Sequence, residues 1–507
     1  MANAKRAVSQ PVSLPAPTGG WNARDSLTGM SPLDAVTLTN WYPATTECQL
    51  RKGYAQWATG ISGQVQTVMA YSGGSTEKLF AINASGSVYD VTATGAVGAA
   101  VLTGLSNGKW GYLNIATAGG NFLSMANGVD APRNYNGTTW TTPSITGVTA
   151  TTLRDPILYA QRQFFVGDNT LKAWYLPVNS IAGAANAIDI SALATKGGYI
   201  MAHATWTIDA GQGVNDHYVL VTSRGQVVVY QGSDPSSATT WSMVGVWDLG
   251  APVGRRCMFK WAGDMLLITQ DGVVPMSAAL QSSRVNPKVA LTDKIQYAIS
   301  DSVSNYAANF GWQLVYVATI NQLWLNVPVQ VGTNQQQYVM NTINGSWCNY
   351  TGWNANCWEI FQDEPYFGGN GYVGRAWYTN ADAGSNIQAF GLQAFNNFNN
   401  AGTLKRFTMS RPMFRTNGNP AIYAGINIDF NINDSTAPLT FSPPSFGTWD
   451  TSLWDAATWG GDLSILQYWQ GLNGVGYYGA PTVKVASNTL DVRWVSTDVV
   501  IEGGAIL

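Results

Sequence analysis

Along the middle of this chain, short runs of alternating apolar and polar residues end in turns of Gly, Asn or Asp and resume as second alternating runs. The pattern reads LFAINASGSVYDV at 79, NFLSMANGVDAPRNY at 121, QFFVGDNTLKAWYL at 163, YVLVTSRGQVVVYQG at 218, MLLITQDGVVPM at 265, QLWLNVPVQVGTNQQQYVM at 322 and PYFGGNGYVGRAWY at 365. Two alternating runs joined by a short polar turn predict a β-hairpin. Seven hairpins spaced about 42 to 57 residues apart predict an all-β fold, a β-propeller of about six to eight blades, because one blade cannot cover both its faces and needs neighbours. A run of β-sandwich domains also produces regular hairpins and is the alternative. In LTDKIQYAISDSVSNYA, Leu291, Ile295, Ile299 and Val303 recur every fourth residue, which predicts a short helix between two blades.

The flanks break the pattern. Residues 1–47 are rich in Pro, Gly, Ser and Thr and read as an extended N-terminal arm. One short helix is expected in it at MSPLDAVTLTNW, with Ser31 as cap, Pro32 in the first turn and Asp34 facing the positive end of the helix dipole. CQLRKGYAQWATGI, from Cys48, is expected to lie beside the last blade and close the ring from its two ends. The division is therefore an arm at 1–47, a propeller core at 48–384 and a β-rich C-terminal region at 385–507. Within that last region TLDVRWVSTDVVIEGGAIL reads as final strands.

The C-terminal region also holds FGTWDTSLWDAATWGGDLSILQYWQ, with Trp449, Trp454, Trp459 and Trp469 close together and Asp450 and Asp455 behind the first two. Tryptophans five apart fit neither the helical nor the strand period, so they read as successive turns, each anchored by a ring. An indole buries a large area while its N–H still wants a partner, which suits an interface of mixed character. Rings capping the bottom of a blade, or a sugar-stacking platform, are the other readings.

Composition adds to this picture. Charged residues make up 11%, under half the usual share, and the net charge is -3 on 507 residues. Copies of such a chain repel one another weakly and tend to associate, as subunits do. No apolar stretch follows Lys5 and Arg6, and no run is long enough to span a bilayer, so neither a signal peptide nor a membrane-spanning segment is expected. Cys48, Cys257, Cys348 and Cys357, with only His203 and His217 to help, match no zinc spacing and are expected as buried thiols, with no metal and no cofactor.

Catalytic signatures are weak. The chain has no G-x-S-x-G, H-E-x-x-H, G-x4-G-K-[ST] or Asp-rich calcium loop. GSDPSSATTW at 232 approaches the repeated turn of sialidase-like propellers but stands alone, with its Asp one place early. His203 and His217, near Asp209 and Asp216, are expected as solvated loop residues rather than a base and its orienter. Asp363 and Glu364 are adjacent, so in a strand they point to opposite faces, a poor start for a glycosidase pair. Lys405, Arg406, Arg411 and Arg415, and the doublet Arg255 and Arg256, come without a recognition helix or an RNP-like strand and are expected to be solvated or paired at interfaces.

PAPTGGWNARDSLTGMSPLDAVTLTNWYP with LRKGY, then LKRFTMSRP, WDTSLWDAATW and VVIEGGAIL, together resemble the tail nozzle proteins of short-tailed bacteriophages, also called tail tubular protein B or tail hub proteins. The resemblance is specific at 15–54 and 403–507, and the hairpins between fit that family's propeller core. It implies a structural virion protein with no catalytic activity, assembled in the bacterial host cytoplasm and located in the virion tail. In that family six copies form a ring below the adaptor and portal, carry the tail fibres or spikes, and conduct the genome outward; with 26 basic against 29 acidic residues and no dense basic run, this chain is expected to pass double-stranded DNA without specific binding. Trp21, Trp41, Arg411, Trp449, Trp454, Trp459 and Trp469 are the candidate interface residues. A carbohydrate-binding or glycan-cleaving propeller is the alternative.

Overall fold

The computed structural model describes residues 9–209, 214–279, 289–433, 437–443 and 462–503. All seven hairpins form, and each supplies the second and third strands of one propeller blade. Blade 2 runs Gly111–Thr117, Gly120–Ala126, Arg133–Tyr135 and Trp140–Thr141, and blade 3 runs Leu153–Tyr159, Arg162–Gly167, Lys172–Tyr175 and Asn186–Asp189. Blade 4 is Ile200–Asp209, Val214–Thr222, Gln226–Gly232 and Trp241–Asp248, and blade 5 has three strands, Met258–Trp261, Asp264–Thr269 and Gly272–Pro275. Blade 6 is Gln313–Val317, Gln322–Gln330, Asn334–Asn341 and Trp347–Thr351.

Blades 1 and 7 share one strand, and this closes the ring. The first half of Tyr54–Ser72 pairs with Asn370–Ala376 as the outer strand of blade 7, after Cys357–Phe361 and Glu364–Gly368. Its second half pairs with Glu77–Asn83 as the innermost strand of blade 1, which Val88–Asp90 completes. The change of blade falls at Gly60 and Gly63, whose φ of +84° and +77° few other residues adopt without strain. A segment from early in the chain thus locks the last blade to the first, as the sequence pattern predicts.

Strand alternation builds the core between blades. Tyr218 and Leu220 point toward blade 3 and pack with Phe164 and Tyr175, while Val219 and Val221 point the other way and pack with Leu266 and Ile268 of blade 5. Period-two patterning with both faces apolar is what a sheet buried on both sides requires. Between blades 5 and 6 the expected helix forms as Gln296–Tyr306, preceded by a 3-10 turn, with Ile295, Ile299 and Val303 buried.

The N-terminal arm differs from expectation at one point. Residues 31–41 form no helix; Asp34–Thr39 is a strand, antiparallel to Ile387–Gln393 and paired at Thr39 with Asn349 of blade 6. Ser31 does organise the local backbone, accepting from Leu33 N and Asp34 N, but it closes a turn. The β-branched Thr37 and Thr39 then find strand partners, Thr39 on both sides, and tertiary pairing overrides the weak cap signal.

Strands from both ends of the chain make a two-sheet unit attached to blade 6. One sheet contains Ser9–Pro15, Trp41–Pro43, Cys48–Leu50, Lys405–Thr416, Ser464–Gln467, Gln470–Gly476 and Val492–Gly503. The other continues blade 6 through Asp34–Thr39 into Ile387–Gln393, Gly479–Ser487 and Ala421–Ile428. Trp41, Phe414 and Trp494 from the first sheet pack on Leu38, Ala389, Val483 and Val485 from the second. Gly391 makes room for two indoles, since a Cβ there would lie 2.7 Å from Trp494 and 3.5 Å from Trp41.

Candidate functional sites: a sheet face and the propeller axis

The outward face of the first sheet follows from alternation along Lys405–Thr416, shifted by one residue at an irregularity between Phe407 and Met409. Phe407, Ser410, Pro412 and Phe414 are buried, while Arg406, Met409, Arg411, Met413 and Arg415 lie on the outer side. Lys405 is buried, its ammonium held by the carbonyls of Asn400, Thr403 and Tyr477. Across the sheet Arg406 faces Val475 and Glu502, Arg411 faces Asp498, and Arg415 faces Ile465.

Arg411 is the centre of this face. Its Nε and Nη2 donate to Asp498 Oδ2 at 3.0 and 2.5 Å, and its guanidinium lies 4.6 Å from the Trp469 ring centroid. Planar stacking and carboxylate pairing together are specific to arginine, and a lysine would keep neither geometry. Glu47 ties Arg415 and Arg493 at 3.3 and 3.1 Å. Around these pairs Trp469 is 37% exposed, Val475 56% and Ile465 61%, with Met409 also exposed. Arginine, methionine and tryptophan on one face, with acids only as their partners, is the composition of protein interfaces.

The other candidate interface residues divide. Trp41 is 0% exposed inside the two-sheet unit, against Phe414 and Trp494, so it is core and offers no partner surface. Trp21 is partly buried and meets Tyr338 edge-on at 5.1 Å within the chain. Trp449, Trp454 and Trp459, with Asp450 and Asp455, lie outside the described residues. A surface tryptophan and a core one look alike in sequence; only the partner strand decides which face is covered.

The second site lies on the propeller axis. Residues from the innermost strands of all seven blades, among them Val68, Tyr112, Ile157, His203, Phe259, Gln313 and Glu359, line a cavity of about 400 Å³. A neighbouring cavity of about 380 Å³ opens at the end where the chain enters the inner strands of blades 2 to 6, lined by Lys109, Trp110, Arg154, Tyr199, Arg255, Arg256 and Phe310.

The histidines are not in solvated loops. His203 and His217 sit on adjacent strands of blade 4 and are both buried, because alternation turns them inward. His203 bonds the Tyr218 hydroxyl at 2.8 Å and the Asp155 carbonyl at 2.5 Å, and burial lowers its pKa to about 4, so the ring is neutral. Both of these partners, the Tyr218 hydroxyl and the Asp155 carbonyl, come from neighbouring strands. Asp155 itself has a φ of 49° at a bulge in the innermost strand of blade 3. On the same axis burial pushes the carboxyl of Glu359 up to about 8.

The remaining acid motifs are structural. Asp234 of GSDPSSATTW pairs with Arg162 and accepts from Ser236, closing its own turn. Glu364 pairs with Arg375, and Asp363 occupies the left-handed position of a hairpin turn with φ 60°. All four cysteines are buried thiols, and burial raises the pKa of each, which suppresses the reactive thiolate. Among the described residues no group of His, Cys, Asp and Glu has the arrangement to hold a metal, and no helix is long and apolar enough to cross a membrane.

Sequence reasoning noted Arg255 and Arg256 only as a doublet, and it missed Glu359 and Asp155. Their roles come from the closure of the ring, which no local pattern reports. The signal within reach was the Asp155-Pro156 step, since a residue before proline is restricted and a bulge in an inner strand is frequent beside sites.

The fold defines an all-β protein: a seven-bladed propeller joined to a two-sheet unit. No family model matches the chain, and no curated protein matches it. Among solved structures it is similar to BBS1N in complex with ARL6DN, at 10% identity and a TM-score of 0.39, covering 64% of this chain and 96% of that one. It is similar to YCF48 bound to D1 peptide at 11% identity and a TM-score of 0.37, covering 66% and 94%. The exo-β-1,3-galactanase of Phanerochaete chrysosporium matches at 8% identity and a TM-score of 0.25, covering 77% and 95%.

Proposed function

We propose that this chain is a structural virion protein, the tail nozzle of a short-tailed bacteriophage. It forms a closed six-membered ring below the portal and adaptor, carries fibres or spikes, and passes the genome without catalytic turnover. One observation carries this reading. The two stretches on which the resemblance rests, 15–54 and 403–507, are far apart in sequence, yet their described strands interleave in one two-sheet unit. That unit is hydrogen-bonded into blade 6 and presents the face around Arg411 and Trp469.

Such a face serves a heterologous ring, in which one patch meets a different patch on the next copy and the rotation closes. Light scattering on tail complexes released from virions is expected to give six copies of this chain. A firm two-fold or three-fold stoichiometry would overturn the ring.

Ile465→Asp is expected to leave the isolated subunit's stability within about 0.5 kcal/mol, and Trp469→Ala within about 1 kcal/mol, the scale of its exposed contact with Arg411. Ring formation or tail attachment should weaken by roughly 2 kcal/mol or more, as at interface anchors. Normal attachment with a destabilised subunit would reject the face as an interface.

The glycan-directed alternative has the axial Glu359 in its favour, since a carboxyl kept protonated near neutral pH is a general-acid candidate. Asp155, which lines the same cavity, is engaged by Arg154 at 3.0 Å. Turnover of a glycan, abolished in Glu359→Gln, would favour that reading over the nozzle.

A further inference from the structure

At the entry end of the axis, four cationic side chains, Lys109, Arg154, Arg255 and Arg256, line one cavity in a chain whose net charge is negative. Two carboxylates neighbour them. Asp155 pairs with Arg154 at 3.0 Å, and Asp168 takes both Arg154 at 2.5 Å and Arg255 at 3.2 Å. Those contacts satisfy Arg154 and one edge of Arg255. They leave positive charge over.

The surplus sits on three groups. Among the described residues Arg256 has no carboxylate partner: its Nη2 donates to Thr67 Oγ1 at 2.7 Å and to the carbonyls of Gln66 and Trp110 at 3.2 and 3.3 Å, and its Nη1 to Gln313 Oε1 at 3.5 Å, all neutral acceptors. Arg255 Nη1 is buried and finds no acceptor among the described residues. The Lys109 ammonium lies 4.9 Å from the Phe310 ring centroid, and the Arg256 guanidinium 5.2 Å from the same ring. Arg255 lies 4.9 Å from the Tyr199 ring. Aromatic rings thus hold all three cations in place while leaving N–H groups for something else.

Taking a guanidinium out of water costs several kcal/mol unless an anion compensates it, and neutral carbonyls compensate only in part. The buried, unused Nη1 donor of the partly exposed Arg255 adds to that cost. A duplex is far too wide for a space of about 380 Å³. A small anion fits it, and planar guanidinium groups are suited to oxyanions.

We propose that the entry end of the propeller axis binds one small oxyanion, a phosphate or carboxylate group, between Lys109, Arg255 and Arg256. The site is independent of assembly and of the nozzle reading. Bound oxyanion joins blades 2, 5 and 6 at their inner ends, through Lys109, the Arg255–Arg256 pair and the loop carrying Phe310, so it stabilises the ring of blades.

The test is calorimetric titration of the purified chain with inorganic phosphate and, separately, with citrate, against sodium chloride at matched ionic strength. One saturable site per chain is expected for at least one anion, with a higher melting temperature in its presence. Phosphate above citrate assigns a phosphate-bearing ligand, and the reverse assigns a carboxylate-bearing one. Arg255→Gln and Lys109→Ala should each weaken binding roughly tenfold, the effect of losing one charged hydrogen bond. Arg375→Gln, a cation on blade 7 outside the cavity, should leave it unchanged.

Lys109 is exposed and makes no ion pair among the described residues, so its variant keeps the fold and decides the matter if Arg255→Gln does not express. No saturation by either anion beyond the chloride control, or binding indifferent to Lys109→Ala, overturns the proposal.

Discussion

Arg51→Ala is expected to remove about 3 to 5 kcal/mol from the stability of the chain, the cost of leaving a buried ion-pair partner alone. The Arg51 side chain is fully buried and grips Asp382 through both nitrogens, Nη1 at 2.8 Å and Nη2 at 2.5 Å. It also donates to Asn40 Oδ1 at 2.8 Å, to the Lys52 carbonyl at 2.9 Å and to the Thr351 carbonyl, and it stacks 4.8 Å from the Trp353 ring. One guanidinium therefore ties the N-terminal arm, the outer strand of blade 6 and the segment leaving blade 7.

Arg51→Lys should recover little, because a single ammonium cannot reach acceptors spread over three segments or stack as a plane. Equilibrium urea unfolding followed by tryptophan fluorescence measures the loss. A change under about 1 kcal/mol for Arg51→Ala would show that these segments hold together without it.

Glu359→Gln should raise stability at alkaline pH by about 2 to 4 kcal/mol, somewhat less than the full proton linkage because the cavity admits solvent. Burial lifts the folded-state pKa from 4.5 to about 8, against a smaller opposing effect of the Ile360 N–H. Between those values the folded chain keeps a proton that the unfolded chain has released. Stability attached to this group is thus fully present below about pH 4.5 and is lost as pH rises through about 8. Glutamine has no proton to lose, so the variant's unfolding midpoint should be flatter over that window. Parallel pH profiles for the two proteins would show that the axial carboxyl is not desolvated.

The seven hairpins and the inter-blade helix are legible in the chain because their causes are local. Alternation with Gly, Asn and Asp at the turns commits a segment such as YVLVTSRGQVVVYQG to a hairpin wherever it lies, and apolar residues on both faces announce neighbours on both sides. The ring-closing strand is legible for a related reason. An alternating run standing before the first hairpin has no local partner, and the last blade lacks an outer strand.

The sites were less legible. Trp41 and Trp469 both stand in the stretches that resemble the nozzle family, yet one is core and the other surface, because the sheets decide which face each strand covers. His203 and His217 read as loop residues until their strands turned them inward. Arg255 and Arg256 read as an ordinary doublet until the inner strands of the blades gathered around an axis.

The sequence by itself determined the hairpins and the all-β class and bounded the propeller at about six to eight blades, since each rests on interactions among residues a few positions apart. Only the tertiary structure decided that Asp34–Thr39 is a strand, that the two ends of the chain share a unit, that Arg51 is a buried charge and that Arg256 and Glu359 are partly buried ionisable groups on the axis. Burial and strand pairing depend on what arrives from hundreds of residues away, and a charge acquires its energy from that environment rather than from its neighbours in sequence.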